Sequence, residues 1–226
     1  MRTLTRSSSK GVGSANGRGA FTLIEILVAS AIVAIIMGAI GMTVLRGKEN
    51  FRQGVTAAVL EARGRRVLER IVTELQSAQT SSLTPTPNPP LGSSTLRFRS
   101  SAGVLAGVQQ WTPWSRIAFV PDPNDPVNGR DDDGDGMIDE GRVVLVRDDG
   151  GPNQIQITLA NNVSRLLEGE KANVADDNGN GLVDEAGLSF SIDGNQTLTI
   201  RLTLGARDPR GRTMLRTVQT SVRTRN

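Results

Sequence analysis

The sequence predicts an α+β protein: one long N-terminal helix packed on an antiparallel β-sheet, with two acidic loop inserts. Three observations carry this expectation. Ile26 to Leu45 is a run of 20 residues without a charge, and an apolar repeat at helical spacing continues from it as far as Ala78. Four prolines, Pro85, Pro87, Pro89 and Pro90, then end any regular helix. Beyond them the apolar residues come in short runs separated by turn signals, the pattern of paired strands. A helix followed only by strands is an α+β arrangement.

Residues 1–20 contain Arg2, Arg6, Lys10 and Arg18 and no acid, and Ser7 to Gly19 is too rich in Ser and Gly to bury a core. The segment 21–45 follows. At about 1.5 Å per residue the uncharged run spans about 30 Å as a helix, enough for one membrane crossing. A removable secretory signal is the competing reading, but the run exceeds the usual apolar core of about 7 to 15 residues. The basic residues ahead of it favour a cytoplasmic N-terminus. In 46–82, Val55, Val59, Ala62, Leu68, Ile71 or Val72, Leu75 and Ala78 recur at helical spacing among Arg and Glu, so this half is expected to lay an apolar stripe on the sheet. Gly38, Gly41, Gly47, Gly54 and Gly64 each cost about 1 kcal/mol relative to Ala, permitting bends, and small residues also permit close helix contacts.

Residues 83–92 read as a Pro-rich linker and 93–226 as the sheet domain. Strands are expected at Thr95 to Arg99, Arg116 to Val120, Arg142 to Arg147, Gln154 to Leu159, Leu188 to Ile192, Thr197 to Leu204 and Thr213 to Arg225. Asp193-Gly194 predicts a tight hairpin and Asp208 to Gly211 a second turn.

The inserts repeat at an offset of 45 residues: DDDGDGMIDE from Asp131 to Glu140 and DDNGNGLVDE from Asp176 to Glu185. Oxygen-bearing side chains at positions 1, 3 and 5, Gly at 6, an apolar residue at 8 and Asp at 9 match the start of a calcium loop of EF-hand type. The expected ligands are Asp131, Asp133, Asp135, Asp139 and Glu140 in the first loop, and Asp176, Asn178, Asn180, Asp184 and Glu185 in the second. Position 12 is Arg142 in one and Gly187 in the other where such loops carry a bidentate Glu, so Glu140 or Glu185, a carbonyl, water or a distant carboxylate has to complete the shell. The alternative is a turn-forming acidic loop without metal. Residues 122 to 187 hold 16 acids against 5 bases, a self-repulsion that a divalent cation relieves.

The residues Arg18-Gly19-Ala20-Phe21-Thr22-Leu23-Ile24-Glu25 ahead of the apolar helix closely resemble the class III signal of type IV pilins and of the pseudopilins of type II secretion systems. The resemblance implies that 1–20 is a leader removed by a prepilin peptidase on the cytoplasmic side, that Phe21 becomes the methylated N-terminus, and that Glu25 pairs with the terminal amine of a neighbouring pilin or pseudopilin subunit. Ala20 stands where the family has Gly. Cleavage between Ala20 and Phe21 keeps Glu25 fifth, whereas cleavage after Gly19 makes it sixth. Asn161 to Val163, Leu188 to Ser191 and Arg212 to Arg223 are also similar to W-type minor pilins and J-type minor pseudopilins.

The formal net charge of +3 and pI of about 10.1 invite a nucleic-acid reading, but the basicity lies mostly in residues 1–20 and the middle of the chain is acidic. The C-terminal stretch 188–226, with seven Arg and two Asp, reads as solvated strand positions, so no nucleic acid is expected. Without His, Cys or Tyr, imidazole triads, thiol nucleophiles and zinc sites of the usual kind are excluded, and no nucleophile and base converge elsewhere. The expectation is therefore no enzyme but a filament-assembly subunit, a minor pseudopilin or minor pilin. It would be inserted once in the bacterial inner membrane, among lipid and other subunits, with its calcium-bearing domain outside the cytoplasm. The alternative is a calcium-binding, membrane-tethered surface protein that never assembles.

Overall fold

A computed structural model describes residues 21–208 and 210–224. The chain divides into two units, Met1–Lys48 and Glu49–Asn226. Helix α1, Leu23–Leu75, begins in the first and ends in the second.

In the first unit the helix starts at Thr22, whose hydroxyl and carbonyl oxygens both accept the Glu25 backbone N–H, at 3.3 and 3.0 Å. Thr followed three residues later by Glu is the sequence of a capping box, and it sets the Glu25 carboxylate in the first turn, where the helix dipole favours negative charge. From Phe21 to Lys48 every residue is exposed, including Ile24, Leu27, Ile35 and Met37. The helix runs unbroken through Gly38, Gly41 and Gly47, where an added Cβ would meet nothing within 4 Å.

In the second unit a seven-stranded antiparallel sheet has the order β1-β4-β5-β6-β8-β7, with β9 on the remaining edge of β8. The strands are β1 Thr95–Phe98, β4 Ser115–Pro121, β5 Gly141–Arg147, β6 Ile155–Val163, β7 Leu188–Ile192, β8 Thr197–Arg207 and β9 Thr213–Arg223. Every strand expected from the sequence is present, some with shifted ends. The Asp193-Gly194 hairpin joins β7 to β8, where the Asp193 N–H donates to the Thr197 carbonyl at 3.1 Å. A separate two-stranded hairpin, β2 Ser101–Leu105 and β3 Val108–Trp111, was not foreseen. Its strands are short, Gly- and Gln-rich and mostly exposed, so they lack the alternation that marks a half-buried strand.

The buried face of α1 differs from the expected stripe. Leu60, Gly64, Leu68, Ile71 and Leu75 face the sheet, whereas Val55 (47% exposed), Val59 (45% exposed) and Ala62 face solvent. Gly64 explains the difference. A Cβ there would lie 2.5 Å from Cγ2 of Val218, so the missing side chain is what lets the helix approach β9, and that approach selects the face. Leu68, Ile71 and Leu75 join Leu96 and Phe98 of β1, Leu145 of β5 and Leu198, Ile200 and Leu202 of β8 in one core. Each such side chain contributes about 1.5 to 3 kcal/mol on burial. At the rim, Glu74 pairs with Arg70 of the helix at 3.1 Å and with Arg147 of β5 at 2.8 Å.

The helix was expected to reach residue 82 but ends at Leu75. Past it, the Ser77 carbonyl accepts the Ser101 N–H at 3.1 Å and the Gln79 N–H donates to the Arg99 carbonyl at 3.0 Å; sheet-like pairing replaces the next helical turn, and a 3-10 turn follows at Thr80–Ser82. The Pro-rich stretch is pinned to the sheet and is no free spacer. Thr84 exchanges both backbone bonds with Arg97 at 3.0 and 2.7 Å, the Pro87 carbonyl accepts the Ile192 N–H at 2.8 Å, and Ser93 pairs with Phe190.

Candidate functional site

Two regions carry the residues singled out by the sequence. At the N-terminal end, Gly19 and Ala20 lie outside the described residues. Phe21 is exposed immediately ahead of the helix, and Glu25 is exposed one turn into it, fastened through its backbone to Thr22.

The acidic loops lie in the second unit, the first between β4 and β5 and the second between β6 and β7. In the first, carboxylate oxygens of Asp131, Asp133 and Asp135 lie within 4.8 Å of one another. Local bonds hold them there: Asp131 accepts the N–H groups of Gly134 and Gly136 at 2.7 and 2.9 Å, Asp133 that of Asp135 at 2.9 Å, and Asp135 that of Met137 at 2.8 Å. Gly134 and Gly136, at φ 76 and 88, supply the positive φ that bends the loop.

The second loop is built alike. Asp176 accepts Gly179, Asn180 and Gly181, Asn178 accepts Asn180, and Asn180 accepts Leu182. Its glycines match in conformation, Gly179 at φ 76 and Gly181 at φ 86. The Gly181 N–H foremost, with the N–H groups of Gly179 and Asn180, holds the Asp176 carboxyl below the usual carboxylate range against the opposing effect of burial.

Position 9 does not belong to the ring. Asp139 turns away, accepting the N–H groups of Asn128 and Gly129, both at 2.8 Å, and pairing with Arg165 at 3.1 Å. Asp184 does the same with Asn173 at 3.3 Å and Val174 at 3.0 Å. Both adopt left-handed backbone, φ 51 and 49, and the residue that follows each, Glu140 and Glu185, is buried. Glu140 and Glu185 are 4% and 3% exposed, and each has an Oε2 that is buried without a hydrogen-bond partner. The Glu185 Oε1 lies 2.5 Å from the Asn180 Nδ2, so this carboxylate faces the position 5 side chain. Burial, foremost, together with a hydrogen bond to Asp125 and the charge of Asp135, pushes the Glu140 carboxyl up to about 7. The expected apolar anchor moves as well. Met137 at position 7 is buried against Gly205 of β8, while Ile138 at position 8 is exposed.

Two residues were missed. Asp125 accepts the N–H groups of Asp132 and Glu140 at 2.8 and 3.3 Å, and Glu170 accepts those of Asn178 and Asp184, both at 3.2 Å. Their numbers differ by 45, the offset of the repeat, so the duplication extends upstream through Asn128 and Asn173. Extending the same offset along the sequence would have found both.

Residues 15–41 match the family model of the prokaryotic N-terminal methylation motif. The chain thus carries the hallmark of type IV pilin and pseudopilin precursors. Among the described residues one helix, Leu23–Leu75, is long and apolar enough to cross a membrane, and the matched motif overlaps its first part. No curated protein and no solved structure matches the chain.

Proposed function

We propose that this protein is a minor pilin or minor pseudopilin, a structural subunit of a type II secretion pseudopilus or a type IV pilus. It inserts in the inner membrane with 49–226 on the extracytoplasmic side. The observation that supports this reading most is the coincidence of the methylation motif at residues 15–41 with a helix segment whose apolar side chains are exposed all round. Such a segment needs lipid before assembly and other apolar helices after it.

Leader removal before Phe21 creates an amine with a reference pKa of about 7.7 to 8.0, largely cationic at neutral pH. Glu25, held in the first turn by the Thr22 cap, offers a carboxylate to the corresponding amine of a neighbouring subunit. At about 4 Å and an effective dielectric constant of about 20, that attraction is on the order of 4 kcal/mol, against about 1 kcal/mol in water. The pair therefore favours docking into an apolar bundle in one axial register.

Intact mass and N-terminal sequencing of the mature protein test the processing step. The expected start is methylated Phe21; a start at Ala20, or an uncleaved Met1, overturns the assignment. The second reading is a membrane-tethered domain that never assembles, favoured by the large share of the second unit given to the acidic loops. Crosslinking in cells that make all the pilin-like subunits separates the two: contact with other subunits supports the filament role, and a protein that remains monomeric supports the tether.

A further inference from the structure

We infer that each acidic loop binds one calcium ion, with the buried Glu140 and Glu185 at position 10 supplying the carboxylate that such loops otherwise carry at position 12. The inference is independent of the filament reading.

Two different kinds of observation meet in the first loop. One is the convergence of Asp131, Asp133 and Asp135 within 4.8 Å. The other is Glu140, 4% exposed, with a buried Oε2 that no protein N–H or O–H donor reaches, its carboxyl lying against the equally buried carboxyl of Asp125. Buried charges of this kind are paired or coordinate metals, because leaving them bare is costly. The same orphan recurs at Glu185 Oε2, at the equivalent position of the second loop. Two independent folding accidents would not leave the same atom bare at the same step of a duplicated loop.

The direction of the Glu side chain is visible in the second loop, where Glu185 Oε1 contacts the position 5 amide of Asn180. In the first loop position 5 is Asp135, which brings a second carboxylate in place of an amide donor. Arg207 lies on that loop, 3.7 Å from Asp131 and bonded to the Gly134 carbonyl, but one guanidinium does not balance four carboxylates.

The donor set selects the ion. Every candidate ligand is oxygen, and the chain has no His or Cys, so softer metals lose their preferred donors. Calcium takes about 6 to 8 oxygens at about 2.3 to 2.6 Å in a flexible geometry; three short side chains, a Glu, the position 7 carbonyl and water meet that number. Magnesium demands a tighter octahedron and keeps several waters. The first loop offers Asp131, Asp133, Asp135 and Glu140, whereas the second has Asn178 and Asn180 at positions 3 and 5, so the first site is the tighter. Glu140 directly precedes β5, and its carbonyl accepts the Asp122 N–H at 3.1 Å just after β4, so an ion there fastens the loop to two core strands.

The test uses the full chain in detergent, stripped of divalent ions and titrated with calcium chloride by calorimetry. The expected result is two ions per chain with dissociation constants of about 10⁻⁴ to 10⁻³ M, and a rise of Tm on binding. Glu140→Gln and Asp133→Asn each remove the tighter ion, and Asp176→Asn removes the weaker. Should Glu140→Gln fail to fold, Asp133→Asn decides alone, because that exposed side chain accepts only the Asp135 N–H. No calcium bound at about 10 mM, well above the range for extracellular modules, overturns the inference. So does retention of the tighter ion in both first-loop variants, or magnesium binding of equal strength.

Discussion

Helix α1 is one continuous element with two opposite relations to its surroundings. From Phe21 to Lys48 it is mostly apolar and exposed on all sides, while from Leu60 to Leu75 it buries one narrow face against its own sheet and keeps charges on the other. The same backbone thus serves partners of two kinds. In the proposed role the first half meets lipid and other helices; the second packs on the core that contains β8 and β9. Damage to the first half is therefore expected to abolish assembly without unfolding the domain. Damage to the second half unfolds the domain.

The largest expected effect is at Glu25. Glu25→Leu removes the carboxylate while leaving the second unit intact, so co-purification with other pilin-like subunits is lost and the Tm of the domain does not change. A lowered Tm would break the division between the halves. Next comes Ile71→Ala, which empties a fully buried site in the core. It is expected to cost about 2 to 5 kcal/mol in urea unfolding. The finest test compares two glycines of one helix. Gly64→Ala places a methyl 2.5 Å from Val218 and is expected to destabilise by about 1 to 3 kcal/mol, even though Ala is the better helix former. Gly41→Ala meets nothing within 4 Å and leaves the Tm of the domain unchanged. Equal responses at the two positions would show that Gly64 is no closer to the sheet than the geometry of Gly41 allows.

Much of this contrast was legible in the residues. The uncharged run needs no tertiary information, because apolar side chains on every side of a helix can be satisfied only outside the chain. The strands β7 and β8 were legible through the Asp193-Gly194 turn and the alternation of Leu198, Ile200, Leu202 and Leu204. The buried stripe of α1 was harder to read. Periodicity gave Val55 and Val59 weight as apolar residues, and nothing in it signals that the residue nearest the sheet is a glycine. The end of the helix was equally hidden, because residues 77–79 are released from it by strand partners about 20 positions further on.

The acidic loops divide in the same manner. The duplication, the alternation of oxygen-bearing side chains and the glycines that bend each loop follow from the residues alone, since these are local properties of spacing and φ. Which of two adjacent carboxylates is buried depends on contacts of the folded chain. Asp139 and Asp184 are held by the N–H groups of an upstream turn, and Glu140 and Glu185 are buried where the chain enters β5 and approaches β7. Side-chain direction at a loop's end depends on the strand that receives it, and that strand's place in the sheet is set by contacts far away in the chain.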